Sequence, residues 1–337
     1  MTNYIDISAQ IEGDFIALLD DWFSLPETWD NDLDKQIARW YSNPPEVWPK
    51  RPYFSPSSLG SCPRELYIKA KYGNAAKDNF RDKPWRGRQR KLGTLGGDLI
   101  QRELLAIERN YERLTGHKPR FSFVRNKDGT PMFEEFAKTN KLVEQDGERF
   151  YLFGAPDGVM EYITDEGEVI RVGLEIKSKQ STPAKTSTYS MQRPDEDHAK
   201  QVVAYAEMFD CDYYMILYVN YAKKGWNMTD EEYDKTPDIR AFCTRVTDED
   251  KREVFAKAVE VIKAVRDNVP PKMDISKFTF NNFKTACAKS LSEEEFDEIK
   301  DQVRRILKSG LPDWKKQNYY EAFEFIRNVR EGSEISG

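Results

Sequence analysis

The sequence predicts an α/β fold: a mixed central β-sheet flanked by helices, with helical additions at both ends. Three observations predict it. The stretch between Arg120 and Asn268 reads in the order β-β-β-α-β-β-α. The segments before and after it read as helices. No internal repeat or low-complexity tract points to a solenoid or a fibrous chain. The 337 residues leave room for one large domain or two modest ones. The expected division is an N-terminal helical and aromatic arm over 1–54, a core over 55–270 and a mostly helical extension over 271–337.

Each element has a local reason. Ile11–Trp22 and Asp32–Tyr41 read as short helices, followed by the Pro- and Trp-rich stretch NPPEVWPKRPYF, an arm expected to pack on the core. In SPSSLGSCPRELYIKAKYG, Ser55 or a nearby serine can cap a helix through Leu66 and Ile68 that stops near Gly73. Asn74 to Arg90 is polar, basic and without periodicity, so it reads as a loop. From Leu92 an apolar stripe (Leu95, Leu99, Leu104, Ile107) marks a helix, and Gly93, Gly96 and Gly97 crowd its first turn. Glycines weaken a helix, so they point to close packing or close backbone approach. Strands are expected after Arg120, with a meander at about 149–155, 157–163 and 168–178 punctuated by QDGE, APDG and TDEGE. Asp195–Phe209 is an amphipathic helix with acid at its N-terminal end, as the helix dipole favours. Asp212–Tyr221 and Arg240–Val246 are strands, Glu249–Asn268 is a helix, and Pro270-Pro271 closes the unit.

Composition narrows the chemistry. Hydrophobic residues make up 39% and charged residues 33%, enough for a core beneath a water-soluble surface. No apolar run approaches the roughly 20 residues of a membrane span. The start, MTNYIDISAQIEGDF, lacks a basic segment leading into an apolar one, so no secretory signal is expected. The four cysteines (Cys62, Cys211, Cys243, Cys287) form no C-x-x-C pair, and there are two histidines, His117 and His198. A zinc site or disulfide scaffold is therefore not expected, and any metal must be held by carboxylates, which suit hard cations. Net charge is −6, but ten Lys/Arg against three acids fall between Arg64 and Lys91. Segregated charge of this kind can form a nucleic-acid surface despite the acidic total.

One constellation stands out. Glu175 and Lys177 sit two apart in VGLEIKSK, so in a strand they share a face while Leu174 and Ile176 point into a core. Asp157 follows Pro156 at the start of the preceding strand. If that hairpin pairs, Asp157 lies beside Glu175, and a divalent cation between the two would resolve their repulsion. The alternative is an ordinary cross-strand ion pair with Asp157 as a turn residue. On the next helix Gln201 and Tyr205 lie at i and i+4 and share a face. The polar stretch QSTPAKTSTYSMQRPD between strand and helix can rim a cleft.

Pro156-Asp157, Glu175-Ile176-Lys177 and Gln201-x-x-x-Tyr205, in that order, resemble the PD-(D/E)XK nuclease superfamily, and more narrowly its RecB-type exonuclease branch. SSLGSCPRELYIKA resembles that branch's N-terminal Cys-Pro-Arg segment, and LGTLGGDLIQREL its glycine-led helix, so the resemblance spans about residues 55–222. It implies a restriction-endonuclease-like core and a metal-dependent DNA exonuclease working in recombination, repair or phage DNA processing. Asp157, Glu175 and the Ile176 carbonyl would hold Mg²⁺ or Mn²⁺. Lys177 would orient the nucleophile or stabilise developing charge, and Gln201 and Tyr205 would position the strand or the Lys177 head group. Arg64, Arg86, Arg88 and Arg90 are the expected DNA contacts, with Trp85, Tyr67 and Tyr72 for stacking. The family histidine is absent. Asp98 or Gln101 substitutes for it, directly or through water, or the position is lost. Cys62 matches the first cysteine of iron–sulfur relatives, but no C-x-x-C group follows Tyr205, so no cluster is expected. DNA is the expected partner, with a recombination annealing protein or helicase beside it. The expected location is the cytoplasm, the host's if the gene is phage-borne. A structure-specific or restriction-type endonuclease, and a non-catalytic DNA-binding module, stand as alternatives.

Overall fold

A computed structural model of the chain describes residues 6–81, 83–222 and 225–332. Two N-terminal helices, α1 (Ser8–Ser24) and α2 (Asn31–Ser42), lead into a short strand β1 (Tyr53–Phe54) and the helices α3 (Pro63–Tyr72) and α4 (Pro84–Thr115). Strands β2 (Phe121–Phe123), β3 (Thr139–Gln145), β4 (Glu148–Gly154), β5 (Gly158–Ile163) and β6 (Val169–Lys179) follow. Then come α5 (Glu196–Phe209), β7 (Tyr213–Asn220), α6 (Asp230–Lys235), β8 (Ile239–Arg245), α7 (Asp248–Asp267) and the C-terminal α8 (Lys284–Lys289), α9 (Glu293–Leu307) and α10 (Asp313–Arg330). The architecture is mixed α/β, with sheets flanked by helices. No described helix is long and apolar enough to cross a membrane.

The strands form two sheets. One has the order β2-β5-β6-β7-β8, and the other β1-β4-β3. Only β6 and β7 run parallel in the larger sheet, and α5 makes the crossover between them. Every residue of β7 is buried, as its unbroken apolar and aromatic run requires of a central strand. Its side chains alternate. Tyr213, Met215, Leu217 and Val219 join a core layer with α1 and α4, while Tyr214, Ile216 and Tyr218 join a layer with α5 and α7. The N-terminal arm is part of the first layer, because α1 buries Ile11, Phe15, Leu18, Leu19 and Trp22 there. The second layer continues into the C-terminal helices through Cys287, Ile299, Val303 and Ile326.

Three local expectations change. The three-strand meander is split, because β4 pairs with β3 and β1 while β5 pairs with β2 and β6. The break falls at Ala155-Pro156, where proline supplies no N–H for a ladder. The tight turn lies instead between β3 and β4, with Asp146 and Gly147 both at positive φ (51° and 79°). Second, the helix expected from Leu92 starts at Pro84 and runs for 32 residues. Proline at the first helical position sets φ for the turn, but the segment after it is exposed and polar all round, so it shows no periodicity to read. Third, α3 starts at Pro63 with Cys62 before it and no side-chain cap, while Ser55 precedes a separate 3-10 turn at Pro56–Ser58.

Candidate active site

The last ladder pair between β5 and β6 is Gly158 with Leu174. Beyond it β6 continues alone on that side, and Asp157 takes the place of a strand partner. The Ile176 N–H donates to Asp157 Oδ2 at 2.6 Å. The N–H and C=O of one strand residue point the same way, so the Ile176 carbonyl also faces Asp157. Glu175 and Lys177 share the opposite face of β6 from Leu174, which is in the core. Glu175 is 4% exposed, and its Oε1 accepts from Lys177 Nζ at 2.6 Å and from Gln201 Nε2 at 2.8 Å. Lys177 Nζ also donates to Gln201 Oε1 at 2.9 Å. One glutamine on α5 thus fixes both the acid and the ammonium. Tyr205, one turn further along α5, donates to the Ala155 carbonyl at 2.6 Å and so holds the turn that carries Pro156 and Asp157.

Burial and the neighbouring Glu175 push the Asp157 carboxyl up to about 8. Burial also raises Glu175, against the pull of Lys177. Two buried acids that resist ionising together are the electrostatic signature of a place for positive charge. The donors fit a hard cation: the Asp157 and Glu175 carboxylates, the Ile176 carbonyl and an amide oxygen nearby. That amide belongs to Gln101 on α4. Its Nε2 donates to the Asp157 carbonyl at 2.8 Å, while its buried Oε1 has no partner. Among the described residues, no group of three His, Cys, Asp or Glu side chains is placed to hold a metal ion. Any cation here needs the carbonyl or the amide as well. Asp98, about one turn earlier on α4, is exposed.

Two further features frame the site. The third and fourth turns of α4 pass the ends of β6 and β7 closely enough that a Cβ on Gly93 would lie 3.0 Å from Ser178 Oγ, and one on Gly96 would lie 1.7 Å from Tyr221 Oη. Close approach accounts for Gly93 and Gly96, whereas a Cβ on Gly97 would meet nothing within 4 Å. On the other side the loop after β6 rims a cavity of about 1190 Å³, lined by Lys179, Lys185, Tyr189, Arg193 and Lys277 among others. Tyr218 also lines this cavity, and the His198 ring packs against it. Burial and the Lys177 charge bring its imidazole down to about 4, and its Nδ1 lies 2.8 Å from Tyr218 Oη.

The basic run is not one surface. Arg64 is 1% exposed. Its Nε donates to the Pro271 carbonyl at 2.7 Å, its Nη1 to the Ser290 carbonyl at 2.9 Å, and its Nη2 pairs with Glu295. Arg64 is therefore corrected from a DNA contact to a buried tie between α3 and the C-terminal helices, where its donors meet carbonyls that would otherwise go unsatisfied. Tyr67 is likewise core, 1% exposed, and is not a stacking platform. Arg86, Arg88, Arg90, Trp85 and Tyr72 are exposed.

One neighbour of the site escaped the sequence reading. Glu134 lies between β2 and β3 at φ 44°, its N–H donates to the Pro156 carbonyl at 2.8 Å, and its Oε2 accepts from Tyr41 at 2.7 Å. Burial raises its carboxyl. Nothing in PMFEEF marks it, because its place depends on a turn that folds back over Pro156.

Fold and site define a mixed α/β protein with a carboxylate–lysine cluster at a strand end. No family model matches the sequence, and no curated protein does. Among solved structures, the chain is similar to the crystal structure of SSO0001, at 13% identity and TM-score 0.42, over 77% of this chain and 95% of that one. It is also similar to an alkaline exonuclease (LHK-Exo) from Laribacter hongkongensis, at 14% identity and TM-score 0.33, over 64% of this chain and 89% of that one. The same enzyme in complex with dAMP matches at 12% identity and TM-score 0.32.

Proposed function

We propose that the chain is a metal-dependent deoxyribonuclease of the PD-(D/E)XK type, RecB-like, acting as an exonuclease on DNA. The observation that carries the reading is the convergence of Asp157, Glu175 and Lys177 at the open end of the β5–β6 pair. Asp157 seals the Ile176 N–H, and Gln201 bridges the other two. Charged groups are held out of water here, which costs desolvation energy that a lone ion pair often fails to offset.

In this reading Asp157, Glu175 and the Ile176 carbonyl hold Mg²⁺ or Mn²⁺. When bound, the cation polarises a phosphoryl oxygen and acidifies water. Lys177 places its ammonium where negative charge grows on the phosphate, and Gln201 keeps it from turning away. Tyr205 fixes the backbone that carries Asp157. Lys179, Lys185 and Arg193 on the rim, with Arg86, Arg88 and Arg90 on α4, attract the polyanion.

The test is a time course on end-labelled linear and covalently closed duplex DNA, with Mg²⁺ or with EDTA. Progressive loss of the linear substrate only, and only with Mg²⁺, is expected. Nicking of the closed circle shifts the reading to an endonuclease. No cleavage of either form with Mg²⁺ or Mn²⁺ refutes it.

A further inference from the structure

The helix α4 is covered along its second half and bare along its first. Leu104 and Ile107 are buried in the core, whereas Leu92, Leu95 and Leu99 are 43%, 63% and 44% exposed and Trp85 is 56% exposed. From Pro84 to Leu92 every residue but Gly87 is exposed. The bare apolar residues are ordered. Trp85, Leu92 and Leu99 recur every seven residues, and Leu95 falls three after Leu92 and four before Leu99. That is the spacing of a seam that packs on another helix. It runs along about 20 Å of α4. Left in water, such a seam forgoes the tertiary packing from which helices in proteins draw most of their stability.

Charge points to what covers it. From Lys83 to Gly97 there are five Lys/Arg and no acid, and the first turn of α4 has no carboxylate to meet its dipole. The second half of the same helix shows the pairing that suits it. There α2 docks as an amphipathic helix, burying Leu33 while Asp34 pairs with Arg102 and Asp30 Oδ2 accepts from Arg109 Nε at 2.9 Å. Arg88, Arg102 and Arg109 occupy one heptad position, with Leu95 between the first two. Arg102 and Arg109 meet acids of α2, and Arg88 has no acidic partner among the described residues. On the adjoining side lies α1, whose Trp22 indole N–H donates to Glu103 at 2.7 Å. It contains four acids and no Lys or Arg.

We propose that the first half of α4 is a docking site for an acidic amphipathic helix of a partner protein. The apolar side of that helix seats on Trp85, Leu92, Leu95 and Leu99. Its carboxylates pair with Arg88 and Lys91, as those of α2 pair with Arg102 and Arg109. A second copy of this chain fits less well. Two α4 helices in parallel set like charges side by side, and antiparallel ones set the basic turns against a stretch whose acid is Asp98 alone. DNA would meet the charges but leave the leucines in water. Arg86 and Arg90 stand on another face of the helix, the one that carries Gln101, so DNA at the strand end and a helix on the seam do not compete for them. The inference does not rest on the nuclease reading.

The probe is a fluorescein-labelled helical peptide of about three heptads, with leucine at the a and d positions and glutamate at e and g. A lysine-for-glutamate version and a scrambled version are the controls. Anisotropy of each is followed against the full chain, as wild type, Leu95→Gln and Arg88→Glu. Wild type is expected to bind the acidic peptide about tenfold or more tightly than either control. Each substitution, with an unchanged circular-dichroism spectrum, is expected to weaken that binding by about tenfold. Equal binding of the three peptides overturns the proposal, as does an acidic peptide held equally well by Leu95→Gln. Should Leu95→Gln misfold, Leu92→Gln is read in its place by the same criterion. A wild-type dimer in sedimentation velocity that Leu95→Gln turns monomeric would assign the seam to a second copy and overturn the proposal. A comparable loss of duplex-DNA affinity in Leu95→Gln would assign it to nucleic acid and overturn it too.

Discussion

Two charged regions of this chain behave in opposite ways. From Arg64 to Lys91, charge is dense in sequence and dispersed in space. At Asp157, Glu175 and Lys177 it is sparse in sequence and gathered in space. Arg64 is consumed by carbonyls and Glu295 inside the protein, and Glu65 is buried where its Oε1 accepts from Asn282 N at 3.0 Å. Arg86 and Arg88, one helix later, are exposed. The strand-end acids, by contrast, are held within hydrogen-bond reach of one another's anchors by an alternation that strand geometry imposes rigidly. Local charge density says how many charges a segment carries. Strand periodicity says where two of them point.

The largest effect that can break this contrast is at Asp157. Asp157→Asn is expected to lower the rate of DNA cleavage by on the order of 10³-fold or more, since it would remove a ligand from the proposed cation site. It should not lower thermal stability in EDTA, because the carboxylate it replaces is buried beside another acid and costs the apoprotein desolvation energy. Mn²⁺ at about 100 times its dissociation constant should stabilise the wild type by about 2.7 kcal/mol and the variant by much less. Wild-type turnover in Asp157→Asn, measured on labelled DNA, would reduce the gathered charges to a structural ion pair.

Arg64 gives the next effect, of the opposite kind. Arg64→Ala leaves the Pro271 and Ser290 carbonyls without a donor and Glu295 without its partner. A loss of about 3 kcal/mol in urea unfolding is expected. Affinity for DNA, per folded molecule, should not change. A variant of wild-type stability that binds DNA more weakly would return Arg64 to the surface role that its sequence context suggested.

Much of the site was legible because it is built on periodicity. The i, i+2 rule put Glu175 and Lys177 on one face, and the i, i+4 rule put Gln201 and Tyr205 on another. Their contacts follow from β6 and α5 being consecutive elements. What could not be read depends on long-range packing. The split between β4 and β5 turns on which strands meet across a proline. The burial of Arg64 depends on helices more than 200 residues away in sequence. Glu134 depends on a turn folding over Pro156, and the early start of α4 lies in a stretch that is polar on every side. Tyr205 was legible as a helix-face residue, but its partner was not. It holds the Ala155 carbonyl, and not the Lys177 head group.

The smallest expected effect concerns the exposed remainder of the basic run. Arg86, Arg88 and Arg90 stand on the start of α4, whose next turn packs against Ser178 at the end of the strand that carries Lys177. DNA seated at the strand end would therefore pass this part of the helix. An arginine that neutralises a phosphate contributes through counterion release, so removing it shows in the salt dependence more clearly than in affinity at one salt concentration. Replacing all three arginines with alanine should reduce the slope of log Kd against log salt by about 0.9 for each phosphate no longer neutralised on duplex DNA, or about 0.7 on single strands. Affinity at low salt should fall with it, while the cleavage rate at saturating DNA stays unchanged. An unaltered slope, measured by fluorescence anisotropy in Ca²⁺, would mean that these charges are a solvated helix end. The contrast between the two regions would then be complete, with no part of the dense run serving the site.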